Sequence, residues 1–210
     1  MPNPTTLSAT VILAGGESSR MGKPKALLSL PNLSLPNSET LLDFHITRAK
    51  MLGVPVLLAD NGKNLGRGRK VHAVTDYLPN DNNGKGAGPL SALCGAMLHV
   101  SDGYLLVASC DSLILLDQLW VYLQDCAKTE AIYLKNGKDY PLLGLYHSSI
   151  LTKLQRYLNY EERSVMKFLG NLTVSTVTAP SDWQGLLNFN TKDEFNLALT
   201  IFNQRKRRLL

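Results

Sequence analysis

Along the 210-residue chain, short apolar or β-branched runs alternate with longer stretches whose apolar residues recur at spacings of three and four. The first pattern suits strands covered on both faces, the second amphipathic helices. Strands are predicted over 10–13, 54–58, 71–75, 104–108, 131–134, 142–146 and 174–178. Helices are predicted over 41–52, 90–100, 115–127, 148–158 and 191–202. Such alternation builds βαβ units, so the expected fold class is α/β: a three-layer α/β/α sandwich around a Rossmann-like, mostly parallel sheet. The Pro- and Asn-rich segment 29–39 and the Gly- and Asn-dense segment 79–89 interrupt the rhythm and read as loops. Ligands of open parallel sheets sit beyond the carboxyl ends of the strands, so the loops after Leu13, Thr75 and Ala108 are expected to line one cleft.

With 44% hydrophobic and 19% charged residues, the chain reads as an ordinary globular protein, and disordered, collagen-like or disulfide-scaffold readings are excluded. Its longest apolar runs stop far short of the roughly 20 residues that cross a bilayer. No basic region precedes the first apolar stretch, so a cytoplasmic location is expected. The length suits one domain over 1–210. Of the net charge of +5, Arg205, Lys206, Arg207 and Arg208 supply four, and this reads as a solvated basic tail over 204–210. Neither nucleic acid nor membrane is an expected partner. The odd cysteine count (Cys94, Cys110, Cys126) at wide spacing, without a CxxC pair, points to reduced, buried thiols rather than zinc ligands.

The first strand runs into Leu13-Ala14-Gly15-Gly16-Glu17-Ser18-Ser19-Arg20-Met21-Gly22-Lys23-Pro24-Lys25. Paired glycines let backbone N–H groups approach a ligand, and Arg20, Lys23 and Lys25 offer cations to phosphate oxygens. The spacing matches neither GxxxxGK[ST] nor GxGxxG, so the phosphates would sit on a different scaffold. A tight turn with a solvated cationic rim explains the same residues equally well. Further on, Asp76 ends a strand, and Gly88-Pro89-Leu90 opens a helix whose N-terminus suits an anion or is simply capped there. The run Leu105–Cys110 delivers Asp111 to the sheet edge, as a hard oxygen ligand for Mg²⁺ or as a helix cap.

The string LAGGESSRMGKPK resembles the opening motif of small nucleotidyltransferases that transfer NMP from an NTP, and its Gly-Gly form is most similar to the molybdenum cofactor guanylyltransferase family. The order continues with Asp76, the Gly88-Pro89-Leu90 turn, Cys110-Asp111, Asp139-Tyr140-Pro141, Glu162-Arg163-Ser164-Val165-Met166 and Asn188-Phe189-Asn190-Thr191, so the likeness covers almost the whole chain. Ala92 and Leu113 stand where the family has a glycine and a proline. The resemblance implies a nucleotide-diphospho-sugar transferase type of fold, with a nucleotide-binding half at about 8–112 and a pterin-substrate half at about 113–203. It implies GTP and molybdenum-molybdopterin as substrates, Mg²⁺ as cofactor, and molybdenum-insertion proteins or recipient molybdoenzymes as protein partners. Arg20, Lys25 and Asp111 would be catalytic, with Asp111 also the metal ligand. Leu13, Ala14, Gly15, Gly16, Lys25, Asn61, Asp76 and Asp111 would bind nucleotide, while Arg20, Gly22, Gly88, Arg163, Asn188 and Asn190 would face the pterin substrate. Lys23 stands as the alternative to Lys25 for the phosphate, and Ala59 and Asp60 as alternatives to Asn61. Cytidylyl transfer, nucleotidyl transfer to another phosphate and a catalytically silent nucleotide-binding or partner-adapter module are the competing functions.

Overall fold

The computed structural model describes residues 6–16, 22–30, 39–82, 84, 86–126 and 129–209, with backbone alone for 126 and 206–209. Seven strands form one sheet: β1 (Leu7–Leu13), β2 (Val56–Ala59), β3 (His72–Val74), β4 (Tyr104–Ser109), β5 (Ala131–Asn136), β6 (Lys138–His147) and β7 (Val174–Thr178), in the order β3-β2-β1-β4-β6-β5-β7. All pairs are parallel except those of β6, which runs against both β4 and β5. Each of the seven expected strands is present, and the mostly parallel sheet is as the periodicity predicted. The reversal of β6 follows from a hairpin tip at Asn136-Gly137-Lys138, where Asn136 pairs with Lys138 across Gly137 at φ +67°.

Among the described residues the α-helices are α1 (Leu41–Lys50), α2 (Pro89–Met97), α3 (Leu116–Leu123), α4 (Leu151–Asn159), α5 (Val165–Leu169) and α6 (Lys192–Leu209). Alternation along the central strands sends successive side chains to opposite faces. Ile12, Leu58, Leu106 and Ala108 join α1, α3 and α6 in one core, while Val11, Leu57, Leu105 and Val107 join α2, α4 and α5 in the other. Helices on both faces of the sheet make the three-layer sandwich. The basic tail differs from expectation because α6 continues to Leu209. Arg205 in it stacks on Trp183 at 5.5 Å, and its Nε donates to Asp182 at 2.6 Å, so this cation belongs to the packed fold rather than to solvent.

The register decides where the chemistry goes. Val74 pairs with Ala59, Ala59 with Leu13, and Leu13 with Ser109, so four strands end in one row. At about 4.8 Å per strand the row spans about 14 Å, room for a nucleotide laid across it. Leu143 of the reversed β6 pairs with Ala108, which brings the start of that strand to the same edge.

Candidate active site

Beyond this edge lies a pocket of about 390 Å³. Leu13, Ala14, Gly15 and Gly16 line it, with Ala59 from the end of β2, Asn61 from the loop after β2 and Asp76 from the loop after β3. Gly88, Pro89 and Ala92 at the start of α2, Ser109–Asp111 after β4, Leu142 and Lys25 close the other walls. The three loops expected to converge do so, and a fourth, after β2, joins them. Among the alternatives at 59–61, Ala59 and Asn61 both face the pocket, whereas Asp60 is buried and structural: its carboxylate accepts from Gly62 N at 3.1 Å and Leu65 N at 2.6 Å. A Cβ on Gly15 would lie 2.8 Å from Asn61 Cβ, so only glycine lets the first loop meet the second this closely.

Lys25, not Lys23, reaches the pocket, on a short 3₁₀ turn (Lys25–Leu27) fixed by the buried Ala26. Its ammonium donates to Phe189 O at 2.8 Å and to Asn190 Oδ1 at 3.1 Å, and lies 3.5 Å from Asp111 Oδ2. The Asn188-Phe189-Asn190 segment supplies these partners by simple alternation. Phe189 is fully buried, which turns the flanking amides to the opposite side. Asn188 Nδ2 donates to Asp111 Oδ2 at 2.8 Å, and Asn190 Nδ2 to Asn188 Oδ1 at 2.8 Å. The helix cap is Thr191, whose hydroxyl accepts from Glu194 N at 3.2 Å, so the Asn190 amide serves Lys25 instead.

Asp111 is no helix cap either, since α3 begins after Leu115 without a side-chain cap. Its carboxylate accepts from Ser109 Oγ and Asn188 and keeps a quarter of its side-chain surface open. Behind it, the fully buried His45 donates from Nε2 to Ser112 O at 3.1 Å. Burial pushes the His45 pKa down to about 4, so the ring is neutral and the bond holds its direction at neutral pH.

Other expected residues fall elsewhere. Arg163 is not part of the pocket wall: its Nη1 donates to the carbonyls of Leu158 and Glu162 at 2.8 Å, closing the turn between α4 and α5. Gly22 is exposed and outside the lining, while Gly88 lines the pocket just before α2. Arg20 lies outside the described residues. Lys63 and His45 carry no signal in the sequence that marks them, Ser91 carries one alone, and Asp60 reads there only as a nucleotide contact. Buried Ser91 ties down the loop after β3: its backbone oxygen accepts from Tyr77 N at 3.0 Å and its hydroxyl accepts from Leu78 N at 2.9 Å. Its place directly after Gly88-Pro89-Leu90 is the one sequence signal that could have flagged it. Ala92, in place of glycine, sits with its methyl in the pocket wall.

Burial, reinforced by the nearby Asp60, raises the pKa of Asp76 to about 6. The folded value exceeds the ordinary 3.8, so the native state binds the extra proton between these values, and stability falls as pH rises from about 4 to about 6. Asp76→Asn removes this penalty. Discounted for partial solvation, a gain of about 1–2 kcal/mol at pH 8 is expected, vanishing below pH 4. Thermal melts of the two proteins across that range test it, and an equal difference at both ends would sink the assignment.

The comparisons bear on this arrangement. Over 202 residues the chain is 29% identical to a "Probable molybdenum cofactor guanylyltransferase" of Bacillus cytotoxicus, covering 91% of this chain and 96% of that one. Over 195 residues it is 26% identical to a protein of the same description from Bacillus mycoides, covering 89% and 93%. In fold it is similar to molybdopterin-guanine dinucleotide biosynthesis protein A from Archaeoglobus fulgidus, with a TM-score of 0.72 at 20% identity over 93% of this chain and 99% of that one. The 2-C-methyl-D-erythritol 4-phosphate cytidylyltransferase of Thermus thermophilus superposes with a TM-score of 0.63 at 12% identity, covering 92% and 98%. These neighbours share the nucleotide-diphospho-sugar transferase type of sheet. The MobA-like NTP transferase domain matches residues 10–176, and the chain belongs to that family.

Proposed function

We propose that the protein transfers GMP from GTP to the terminal phosphate of molybdenum-molybdopterin, releasing pyrophosphate and forming a guanine dinucleotide cofactor. The observation that carries this reading is the junction of Lys25, Asp111, Asn188 and Asn190 at the end of β4, beside the Gly15–Gly16 pair. The description of the Bacillus relatives supplies the acceptor.

The protein's part is to hold two anionic substrates in line. The Gly15–Gly16 backbone and the N-terminus of α2, both in the pocket lining, favour negative charge there. Lys25 offers its ammonium to the phosphates and so offsets the charge that develops on the leaving pyrophosphate. Asn188 and Asn190 orient Lys25 and Asp111, and Arg20, following the motif, would add a second cation. Gly88, Asn188 and Asn190 stay proposals for the second substrate's side, whereas Arg163 closes its own turn.

The donor set fits Mg²⁺. Among the described residues no three His, Cys, Asp or Glu gather, but one part-exposed carboxylate beside a polyphosphate suffices for a cation that keeps several waters. Asp111 would hold it, and the ion supplies Lewis-acid neutralisation of the phosphate oxygens. Among the described residues no helix is long and apolar enough to cross a membrane.

Calorimetric titration of GTP, CTP, ATP and UTP, with and without Mg²⁺, tests the reading. GTP is expected to bind at least tenfold tighter than the others, and only with Mg²⁺. Preference for CTP would replace guanylyl by cytidylyl transfer, and absence of nucleotide binding would leave only the partner-adapter module.

A further inference from the structure

Lys63 lies outside the motifs that define the site, yet its ammonium donates to Gly15 O at 2.7 Å and Gly16 O at 3.3 Å. The turn that carries it is built for this. Asn61 and Gly62 both adopt left-handed φ, +56° and +72°, and Lys63 N returns to Asp60 O at 3.3 Å, which is the geometry of a tight Asn-Gly turn. Buried Asp60 pins the turn from inside through Gly62 N and Leu65 N. Asn61 wedges it against the first loop at Gly15 and against the third at Gly86, where a Cβ would fall 2.8 Å from Asn61 Oδ1. Lys63 therefore projects from a braced support, though it is itself exposed.

Gly15 and Gly16 line the pocket and Lys63 does not. The Gly15–Gly16 peptide is trans, so its carbonyl and its N–H point in opposite directions. A carbonyl drawn out to Lys63 leaves the Gly16 N–H turned the other way, toward the pocket. We infer that Lys63 is a positioning residue of the phosphate subsite: by holding the two glycine carbonyls it aims the Gly16 N–H at a phosphate oxygen of a nucleoside triphosphate. The inference rests on the nucleotidyl-transfer reading and goes beyond it, for it assigns the subsite's geometry to a lysine that follows β2. A charge-assisted hydrogen bond of this kind is stronger than a neutral one, enough to bias a glycine peptide that otherwise flips at little cost.

The test uses the full-length protein with pyrophosphate, GTP and guanosine as probes. Lys63→Met keeps the aliphatic stem and loses the ammonium. Its affinity for pyrophosphate and for GTP is expected to fall about tenfold, with guanosine affinity unchanged. Lys63→Arg, which can still donate to both carbonyls, should recover most of the loss. In amide NMR of the unliganded protein, the Gly16 resonance should shift in Lys63→Met and stay near its wild-type position in Lys63→Arg. Unchanged pyrophosphate affinity in Lys63→Met, or an unmoved Gly16 amide, would overturn the inference while leaving nucleotidyl transfer standing. If wild-type protein binds neither GTP nor pyrophosphate, both fall together.

Discussion

Asp111→Asn is expected to lower turnover about a thousandfold, equivalent to about 4 kcal/mol of transition-state stabilisation, while the protein stays folded. The amide has nearly the shape of the carboxylate: its one oxygen, in the place of Oδ2, can still accept from Asn188 Nδ2, while its Nδ2, in the place of Oδ1, can donate to the Ser109 hydroxyl, which then acts as acceptor. What it loses is the negative charge, and with it the hard anionic ligand for a divalent cation. The native ion pair with Lys25 is long, at 3.5 Å, and part-exposed, so its loss should cost no more than about 1 kcal/mol of stability. Turnover and melting temperature therefore separate cleanly. Pyrophosphate release measured against Mg²⁺ concentration, alongside a thermal melt, checks both. Retention of more than a tenth of the activity would remove Asp111 from the metal role, and a collapsed melting transition would make it structural.

The positions of β1, β3 and β4 could be read from the sequence because each is a short apolar run ending at a turn signal, and sheet physics then puts their loops at one edge. That logic found Gly15, Asp76 and Asp111 without reference to any structure. The direction of β6 was harder: a run such as Leu142–Tyr146 has the same periodicity whichever way it runs, and only the Asn136-Gly137 dipeptide signals the hairpin that reverses it. Asn188 and Asn190 are expected at the site from the family resemblance alone, and the burial of Phe189 between them is what turns both amides to one side. Arg163 could not, since its guanidinium is taken up by two backbone carbonyls of its own turn, and a cation in an amphipathic segment looks the same in sequence whether it faces a cleft or closes a helix. The structural role of Asp60, which reads in sequence only as a nucleotide contact, and the whole of Lys63 escaped for a related reason. A polar loop such as Asp60–Asn64 reads as solvated surface, and nothing local tells that one carboxylate turns inward while a lysine reaches a glycine pair 47 or 48 residues earlier.

Gly95→Ala is expected to destabilise the protein by about 2 kcal/mol and to weaken nucleotide binding together with stability. On an exposed helix the same change would stabilise by about 1 kcal/mol, because alanine is the better helix former. Here a Cβ would sit 2.0 Å from Thr75 O, 3.1 Å from Thr75 C and 3.3 Å from Asp76 Cα. The obstacle is backbone rather than a side chain that could rotate aside, so α2 or the loop after β3 must move by about 1 Å or more. Overpacking of this kind costs about 1–3 kcal/mol, and the shift also strains the Ser91 contacts to Tyr77 and Leu78, so the clash outweighs the propensity gain. For a chain of this length the melting temperature should drop by about 4–8 °C. The displaced backbone carries Asp76, and the displaced helix carries Gly88, Pro89 and Ala92, all of which line the pocket. Nucleotide affinity should consequently fall several-fold at temperatures where the variant is still fully folded. Melting and calorimetric titration of the same preparation decide the matter: a variant that melts within about 1 °C of wild type would show the β3–α2 junction to be looser than its contacts describe. A variant that melts early yet binds nucleotide at wild-type strength would show Asp76 and the start of α2 to be dispensable for binding.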